Sequence, residues 1–419
     1  MNRVAYESMR AAVGESALSA PVAESRPRGA IGDVLVVTPN NREQLVAIVE
    51  AARRDCLALV PIGTGRRARV MKSERPAVYV NMLRLNKVVA HEVGDLTLTV
   101  ECGASLNTIL QIAAAKKQFV ALDVAHSDAT LGGTLATAEE GSLAGRYGPV
   151  RDQILGISVV NGDAAATKAG GRVVKNVTGY DLVRLYTGSL GSLAILAEAT
   201  LRLRPLPETS RAVVAPMGSW SDAVDAAAVL RREILDLTTL HIISGDAAVA
   251  AGLDPVVPAW VRCGLTGFSQ STTATISKIE SKGRATWEPR PASDSGAFSL
   301  APNHAARRIR IAANAGAWRA LEPTIAPLLP PFAGRTHDVL RGVSEFWAVG
   351  QWRRASAAAL DVELATAHAR IELPDDPAFE QSLAVEWPSQ VPDGVAFMAG
   401  IKHALDPNGV LCPQSNFYG

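Results

Sequence analysis

Apolar and polar positions along the chain recur with two periods, and these mark out its elements. Leu45, Ile48, Val49 and Ala52 fall at helical spacing and predict an amphipathic helix over 41–55. Turn chemistry at Thr38-Pro39-Asn40-Asn41 precedes it, where Asn40 with Glu43, or Asn41 with Gln44, would form a capping-box-like pair. Ser105 is placed to cap a second helix carrying Leu106, Ile109, Leu110 and Ala113. Short apolar runs at 34–37, 57–61, 78–81, 88–91, 96–102 and 154–161 read as strands, and 193–203 as a longer one ended by Pro205 and Pro207. Within 96–102, Leu96, Leu98 and Val100 fall on one side and Thr97 and Thr99 on the other.

Glycines punctuate this pattern unevenly. Thr130-Leu131-Gly132-Gly133, Gly170-Gly171 and Gly188-Ser189-Leu190-Gly191 separate apolar β-rich segments, and an upstream turn reads Pro61-Ile62-Gly63-Thr64-Gly65-Arg66-Arg67. Without a Cβ, glycine lets backbone N–H groups approach a polyanionic ligand closely. Together with Ala68, the upstream turn matches the spacing of a Rossmann fingerprint, but the helix that motif requires is replaced by basic residues and Pro76. It is either a phosphate-cradling loop, with Thr64 and the amides donating and Arg66 neutralising, or a plain hairpin turn. Residues 162–168 resemble a P-loop only superficially, lacking a glycine before Lys168 and a Ser or Thr after it. The run Lys175-Asn176-Val177-Thr178-Gly179-Tyr180-Asp181 suits either the lining of a ligand cleft or a surface turn capping a helix that starts near Tyr180.

Texture changes after Pro207: all seven tryptophans lie beyond it and clustered glycines thin out. The expected organisation is a flexible lead-in over 1–30, a first domain over 31–205, a second α+β domain over 206–395 and a turn-rich tail over 396–419. With 48% hydrophobic but only 5% aromatic residues, the core is built from Ala, Val, Leu and Ile. A net charge of +1 gives no long-range field toward nucleic acid or an anionic membrane. Cys56, Cys102, Cys263 and Cys412 form no CxxC pair, which argues against a zinc ribbon, an iron–sulfur cluster and a disulfide framework, and favours a reducing compartment. The histidines form no local metal motif, so no metal is expected. Arg3, Glu7 and Arg10 interrupt the start where a secretory signal would need an apolar stretch, and no run of about 18 apolar residues is present to span a membrane.

The ordered set Pro-x-Gly-x-Gly, Ala-Thr-x-Gly-Gly, Val-Arg-Asp-x-x-x-Gly, Lys-Asn-Val-x-Gly-Tyr-Asp and Gly-Ser-x-Gly resembles the FAD-binding (PCMH-type) domain of the vanillyl-alcohol-oxidase flavoproteins. Within that family the chain is most similar to the smaller FAD-binding subunit of bacterial glycolate oxidase. The tail from Leu405 to Pro413 resembles the family's closing Asp-Pro-x-Gly motif, with Cys412 where Asn is usual and Gln414 where Gly is usual. The resemblance implies an α+β fold: a two-subdomain FAD-binding domain, a cap serving substrate or subunit contact, and a tail returning to the FAD domain. It implies that Ile62, Gly63, Thr64, Gly65 and Arg66 form the pyrophosphate loop, and that Thr130, Gly132 and Gly133 lie along the phosphate and ribityl region. It also implies that Arg151, Asp152 and Gly156 support the next loop, that Lys175, Asn176, Tyr180 and Asp181 line the cofactor, and that Gly191 and Ile195 approach it through backbone. Some members tether the flavin through a His in the first loop; Arg66-Arg67 stand there instead, so non-covalent FAD is expected.

The function implied is the FAD-binding subunit of a glycolate oxidase-like complex oxidising a small 2-hydroxy acid. A larger FAD-containing catalytic subunit and an iron–sulfur subunit would be its partners, in the cytoplasm or peripherally at the inner membrane through them. The metal-site histidines and the Gly-Asp-Gly-Asn-x-His-like motif of the larger subunit are not found in the sequence. A self-sufficient FAD-linked 2-hydroxy acid dehydrogenase, and a flavoprotein subunit with a structural role only, are the alternatives. Arg353, Arg354, His337 and His403 are of the types the reaction needs, but none is assigned a catalytic role.

Overall fold

The computed structural model describes residues 2–19, 35–65, 75–123, 128–171, 180–282, 286–291, 307–312, 318–329, 332–348, 370–372 and 394–412. The chain divides into two units: Met1–Glu140 with Pro149–Leu206 and Trp387–Gly419, and Gly141–Gly148 with Pro207–Glu386.

The first unit opens with α1 (Arg3–Val13), β1 (Leu18–Ser19), β2 (Leu35–Val37), α2 (Arg42–Arg54), β3 (Ala58–Ile62) and β4 (Ala77–Asn81). Its first sheet runs β1-β2-β4-β3, with β2, β4 and β3 parallel and β1 antiparallel at the edge. Parallel strands are covered on both faces, so they read as continuous apolar runs. Leu35, Val37, Leu59, Val78 and Val80 pack with Leu45, Ile48, Val49 and Ala52 of α2. The cap of α2 is Asn41, whose Oδ1 accepts from the Gln44 amide at 2.8 Å, while Gln44 Oε1 accepts from the Asn40 amide at 2.7 Å. Of the two capping pairs the sequence allows, the Asn41–Gln44 pair forms.

The flexible lead-in expected over 1–30 is corrected by residues 2–19; 20–30 lie outside the described residues. Asn2 caps α1 by accepting from the Ala5 amide. Ala5, Met9 and Val13 recur every four residues, forming a buried stripe in the same core as α2, while Arg10 and Glu7 pair on the exposed side. Arg3, Glu7 and Arg10 belong to the polar face of an ordinary amphipathic helix.

The second part of this unit comprises β5 (Val88–Glu92), β6 (Thr97–Glu101), α3 (Leu106–Ala115), β7 (Gln118–Phe119) and α4 (Leu131–Thr137). After the short α5 (Ala144–Tyr147), which belongs to the other unit, it continues with β8 (Ile154–Asn161), β9 (Ala166–Gly170), α6 (Leu182–Tyr186), β10 (Ala194–Arg202) and β11 (Arg204–Pro205). The sheet is antiparallel, in the order β5-β6-β10-β8-β9. Ser105 caps α3 as expected. The expected alternation of 96–102 holds: Leu98 and Val100 join one core, and Leu96, in a left-handed turn (φ 55) before β6, packs against it. Thr97 and Thr99 are also buried, and the Thr99 and Thr200 hydroxyls hydrogen-bond across strands at 2.9 Å.

The second unit is an eight-stranded antiparallel sheet: β12 (Thr209–Met217), β13 (Thr239–Gly245), β14 (Ala259–Gly267), β15 (Glu288–Pro291), β16 (Arg307–Ala312), β17 (Phe332–Asp338), β18 (Val343–Ala348) and β19 (Arg370–Glu372), ordered β15-β12-β14-β13-β17-β18-β16-β19. Period-2 alternation assigns its faces. Val213 and Ala215 join the core formed with α7 (Trp220–Glu233) and α9 (Ser269–Lys282); Val214 joins Trp260 and α8 (Asp246–Ala250) in a separate cluster. The helix α10 (Trp318–Ile325) follows β16 in sequence, and α11 (Gly394–Leu405), in the first unit, is the last helix among the described residues. Among the described residues no helix is long and apolar enough to cross a membrane.

Candidate functional site

Three of the sequence motifs meet at the C-terminal end of β3. Ligands of parallel sheets gather at such strand ends. Ile62 ends the strand and is buried with Val36, Val60, Tyr79 and Cys412. The glycine turn follows. A Cβ built on Gly63 would overlap Thr130, standing 2.8 Å from its Cγ2, so only glycine lets the two loops touch. Gly65 takes φ +78, the left-handed conformation that glycine adopts without penalty. The Thr64 and Gly65 amides find no acceptor among the described residues. Arg66 lies outside the described residues.

The 130–133 segment is fixed from the other side. The Leu131 amide donates to the Ala104 carbonyl at 2.9 Å and the Gly132 amide to the Cys102 carbonyl at 2.7 Å. A Cβ on Gly132 would stand 3.1 Å from that of Cys102. Thr130 caps α4, its Oγ1 accepting from the Gly133 amide at 3.2 Å. Burial pushes the Cys102 thiol far up, so it is an inert packing group.

The third contributor is the loop 188–191. The Gly188 and Leu190 amides donate to the Leu135 and Ala136 carbonyls of α4, each at 2.8 Å. Gly191 (φ +74) lies against Pro61, with its would-be Cβ 3.3 Å from the proline Cγ. Leu190 is left-handed as well (φ 54), a strained setting for a branched side chain. Ser189 Oγ and Thr134 Oγ1 are buried without a hydrogen-bond partner among the described residues. Ile195 is fully buried, packed in the core with Leu59, Val160 and Leu411, which closes its side chain to a ligand.

A second group assembles elsewhere in the first unit. Arg184 bonds Asp152 at 3.3 Å and Asp181 at 2.9 Å, and Arg151 lies 4.0 Å from Asp152. Asp181 also caps α6 by accepting from the Arg184 amide, so the capping role foreseen for this turn is filled. Gly156 pairs with Gly170 across β8 and β9, and a Cβ there would stand 2.8 Å from the Gly171 carbonyl oxygen. Tyr180 is 94% exposed, pointing its ring to solvent rather than into packing. Lys175 and Asn176 lie outside the described residues.

Sequence reasoning missed the tail's anchor. Leu411 bridges to Leu59 of β3 in parallel, the Cys412 amide donating to the Leu59 carbonyl and the Leu59 amide to the Val410 carbonyl. Cys412 thereby lies beside the glycine turn's strand, its thiol pushed up to about 12 by burial, against the lowering charge of Lys402. Asp406 and Lys402 hold this segment. A Lys–Asp pair four apart on a helix looks in sequence like a solvated surface pair; the following Pro407 and Gly409 are the one hint of a tight return.

The second unit holds its own buried polar cluster. His241 Nε2 lies 3.0 Å from Ser142 Oγ and 3.6 Å from Asp338. Asp338 is raised by burial, but hydrogen bonding and charge from His241, with the charges of Arg341 and His337, leave it lowered overall. His337 stacks on Trp318 at 5.1 Å and bonds Ser344 through Nδ1 at 2.8 Å; burial drives its pKa down to about 3. Burial also lowers Arg262 to about 10. Of the four residues of suitable type, His337 is thus a neutral core group and His403 is exposed; Arg353 and Arg354 lie outside the described residues.

Comparison with known proteins adds identity to this geometry. Residues 34–170 match the family model described as FAD binding domain. The mitochondrial D-lactate dehydrogenase [cytochrome] of Arabidopsis thaliana is 31% identical over 220 residues, 50% of this chain and 38% of that one. Glycolate oxidase subunit GlcD of Bacillus subtilis (strain 168) is 28% identical over 224 residues, covering 51% and 48%. Subunit GlcE of Escherichia coli (strain K12) is 34% identical over 125 residues, covering 29% and 36%. The chain spans less than half the length of these relatives. A solved structure of alkyldihydroxyacetonephosphate synthase superposes with a TM-score of 0.73 at 13% identity, covering 99% of this chain and 85% of that one, which establishes a common fold. The unpartnered Thr64 and Gly65 amides and the buried Ser189 and Thr134 hydroxyls, at loops that only glycine lets approach, suit the phosphates and ribityl hydroxyls of a dinucleotide. Over residues 34–170 the chain carries an FAD binding domain, and its cofactor is FAD.

Proposed function

We propose that this chain is an FAD-linked oxidoreductase component acting on a small 2-hydroxy acid, serving as the FAD-binding subunit of a glycolate oxidase-like complex. The observation that carries the reading is the convergence of Gly63, Thr130 and Gly191 around the end of β3, within a domain whose relatives are named as D-lactate dehydrogenases and glycolate oxidase subunits. Ile62, Gly63, Thr64 and Gly65, with Arg66, hold the pyrophosphate; Thr130, Gly132, Gly133 and Gly191 border it, and Ile195 contributes backbone only. Arg151, Asp152, Gly156 and Asp181 support the neighbouring segment that carries Lys175, Asn176 and Tyr180. FAD is held non-covalently, and when bound it supplies the acceptor for the two electrons leaving the hydroxyl-bearing carbon. Residues 206–395 serve substrate or subunit contact. A larger flavoprotein subunit and an iron–sulfur subunit take the electrons onward, in the cytoplasm or peripherally at the inner membrane.

Gly63→Val tests the cradle. Its side chain forces the turn away from Thr130 and raises the FAD Kd by roughly tenfold or more. An unchanged Kd in a folded variant refutes the assignment.

The relatives include dehydrogenases named without a subunit designation, which favours one second reading: a self-sufficient dehydrogenase. Anaerobic glycolate or D-lactate bleaching the flavin of the isolated chain supports it. A flavin that bleaches only after partner subunits are added supports the complex.

A further inference from the structure

We propose that Lys402 is a positioning residue for the flavin cofactor, tying the loop 188–192 and the tail 410–412 to β3 where the cofactor turn begins. The inference rests on the cradle assignment above.

Lys402 projects from the last turn of α11 and donates to three acceptors: the Ser192 carbonyl at 2.6 Å, the Leu411 carbonyl at 2.7 Å and Asp406 Oδ2 at 2.5 Å. An ammonium has three donors, and all three are used. Asp406 is wholly buried at its side chain and turns its remaining capacity on the tail, Oδ1 accepting from the Val410 amide at 2.8 Å and Oδ2 from the Leu411 amide at 2.9 Å. Gly162 is required beneath it, since a Cβ there would overlap the carboxylate. The two segments so joined are those that touch the strand before the glycine turn. Leu411 and Cys412 pair with Leu59, and Gly191 lies against Pro61. Cys412 Sγ and the Leu190 carbonyl stand 3.9 Å apart, so the two segments also meet each other. Leu190 and Cys412 are both left-handed, conformations a branched or β-substituted residue keeps only where its surroundings over-determine them.

A loop ordered before binding costs the ligand less to order on binding. Lys402 therefore acts on FAD affinity without touching FAD. Its contacts are concentrated at the cradle, which distinguishes it from a residue that contributes to stability alone.

The test titrates FAD into the full-length apoprotein, reading flavin fluorescence and the visible circular dichroism of bound flavin. The temperature is one at which far-UV signals show every variant folded. Lys402→Met is expected to raise the Kd by roughly tenfold or more and to alter the bound-flavin signal, with Lys402→Arg recovering part of both. Leu230→Ala, a core truncation in the second unit, is the stability control and leaves the Kd unchanged. Should Lys402→Met not fold, the double variant Lys402→Met/Asp406→Asn, which buries no lone charge, carries the same expectation. A Kd within about twofold of wild type overturns the inference when Gly63→Val is impaired. So does a loss of affinity matched by Leu230→Ala at equal loss of thermal stability. If Gly63→Val also binds normally, the cradle assignment falls, and the inference with it.

Discussion

Gly63 and His337 show how a residue type is dictated by what surrounds it. Gly63 is required by Thr130, not by an unusual φ, since the contact leaves no volume for a Cβ. The glycine density visible in the sequence thus serves the close approach of loops to one another. His337 tests burial in the second unit. Its folded pKa of about 3 lies below the unfolded value, so the unfolded chain binds more protons between the two. The stabilisation is fully present above about pH 6.5 and is lost as pH falls toward the folded value, with a slope of at most about 1.4 kcal/mol per pH unit. Denaturant titrations across this window are expected to show the slope in wild type and a shallower one in His337→Phe. Equal slopes would show that His337 is not the group responsible.

Element by element, the apolar period was a good guide where one face is buried. The helices capped by Asn41 and Ser105 and the strands β2, β3, β4, β6, β8 and β10 were legible because their buried positions stand out along the chain. Three features were not. α1 was hidden by its charged face, although Ala5, Met9 and Val13 hold the stripe. Burial of the Thr97 and Thr99 side, where the Thr99 and Thr200 hydroxyls pair, carries no apolar signal. The Lys402–Asp406 clamp was invisible because ion pairs four apart are common on solvated helices. Met9 is fully buried, so Met9→Ala is expected to destabilise the protein by about 2–5 kcal/mol in equilibrium denaturation. A loss below about 0.5 kcal/mol would mean that α1 does not share the core. Asn41→Ala removes the acceptor for the Gln44 amide and is expected to cost about 1 kcal/mol by the same measurement.

Across the whole molecule, the candidate site was legible as a set of motifs but not as a constellation. The order of the glycine loops pointed to FAD, and three of them meet at β3. Which residues only support them required coordinates: Asp152 and Asp181 face Arg184, and Gly156 faces Gly171. The excursion of Gly141–Gly148 into the second unit, where Ser142 meets His241 and Tyr147 meets Thr266, left no mark in the hydrophobic pattern because its anchors are polar. Substrate and partners follow from no side chain described, and they rest on the relatives. On the proposed reading, the cradle at the end of β3 holds FAD without a covalent link. Its most direct test is the absorption spectrum of the purified chain, followed by acid precipitation and identification of the released cofactor. A yellow protein with the bands of oxidised flavin, releasing stoichiometric FAD into the acid supernatant, is the expected result. A colourless protein that takes up no FAD on reconstitution would contradict it, as would flavin that stays with the precipitate.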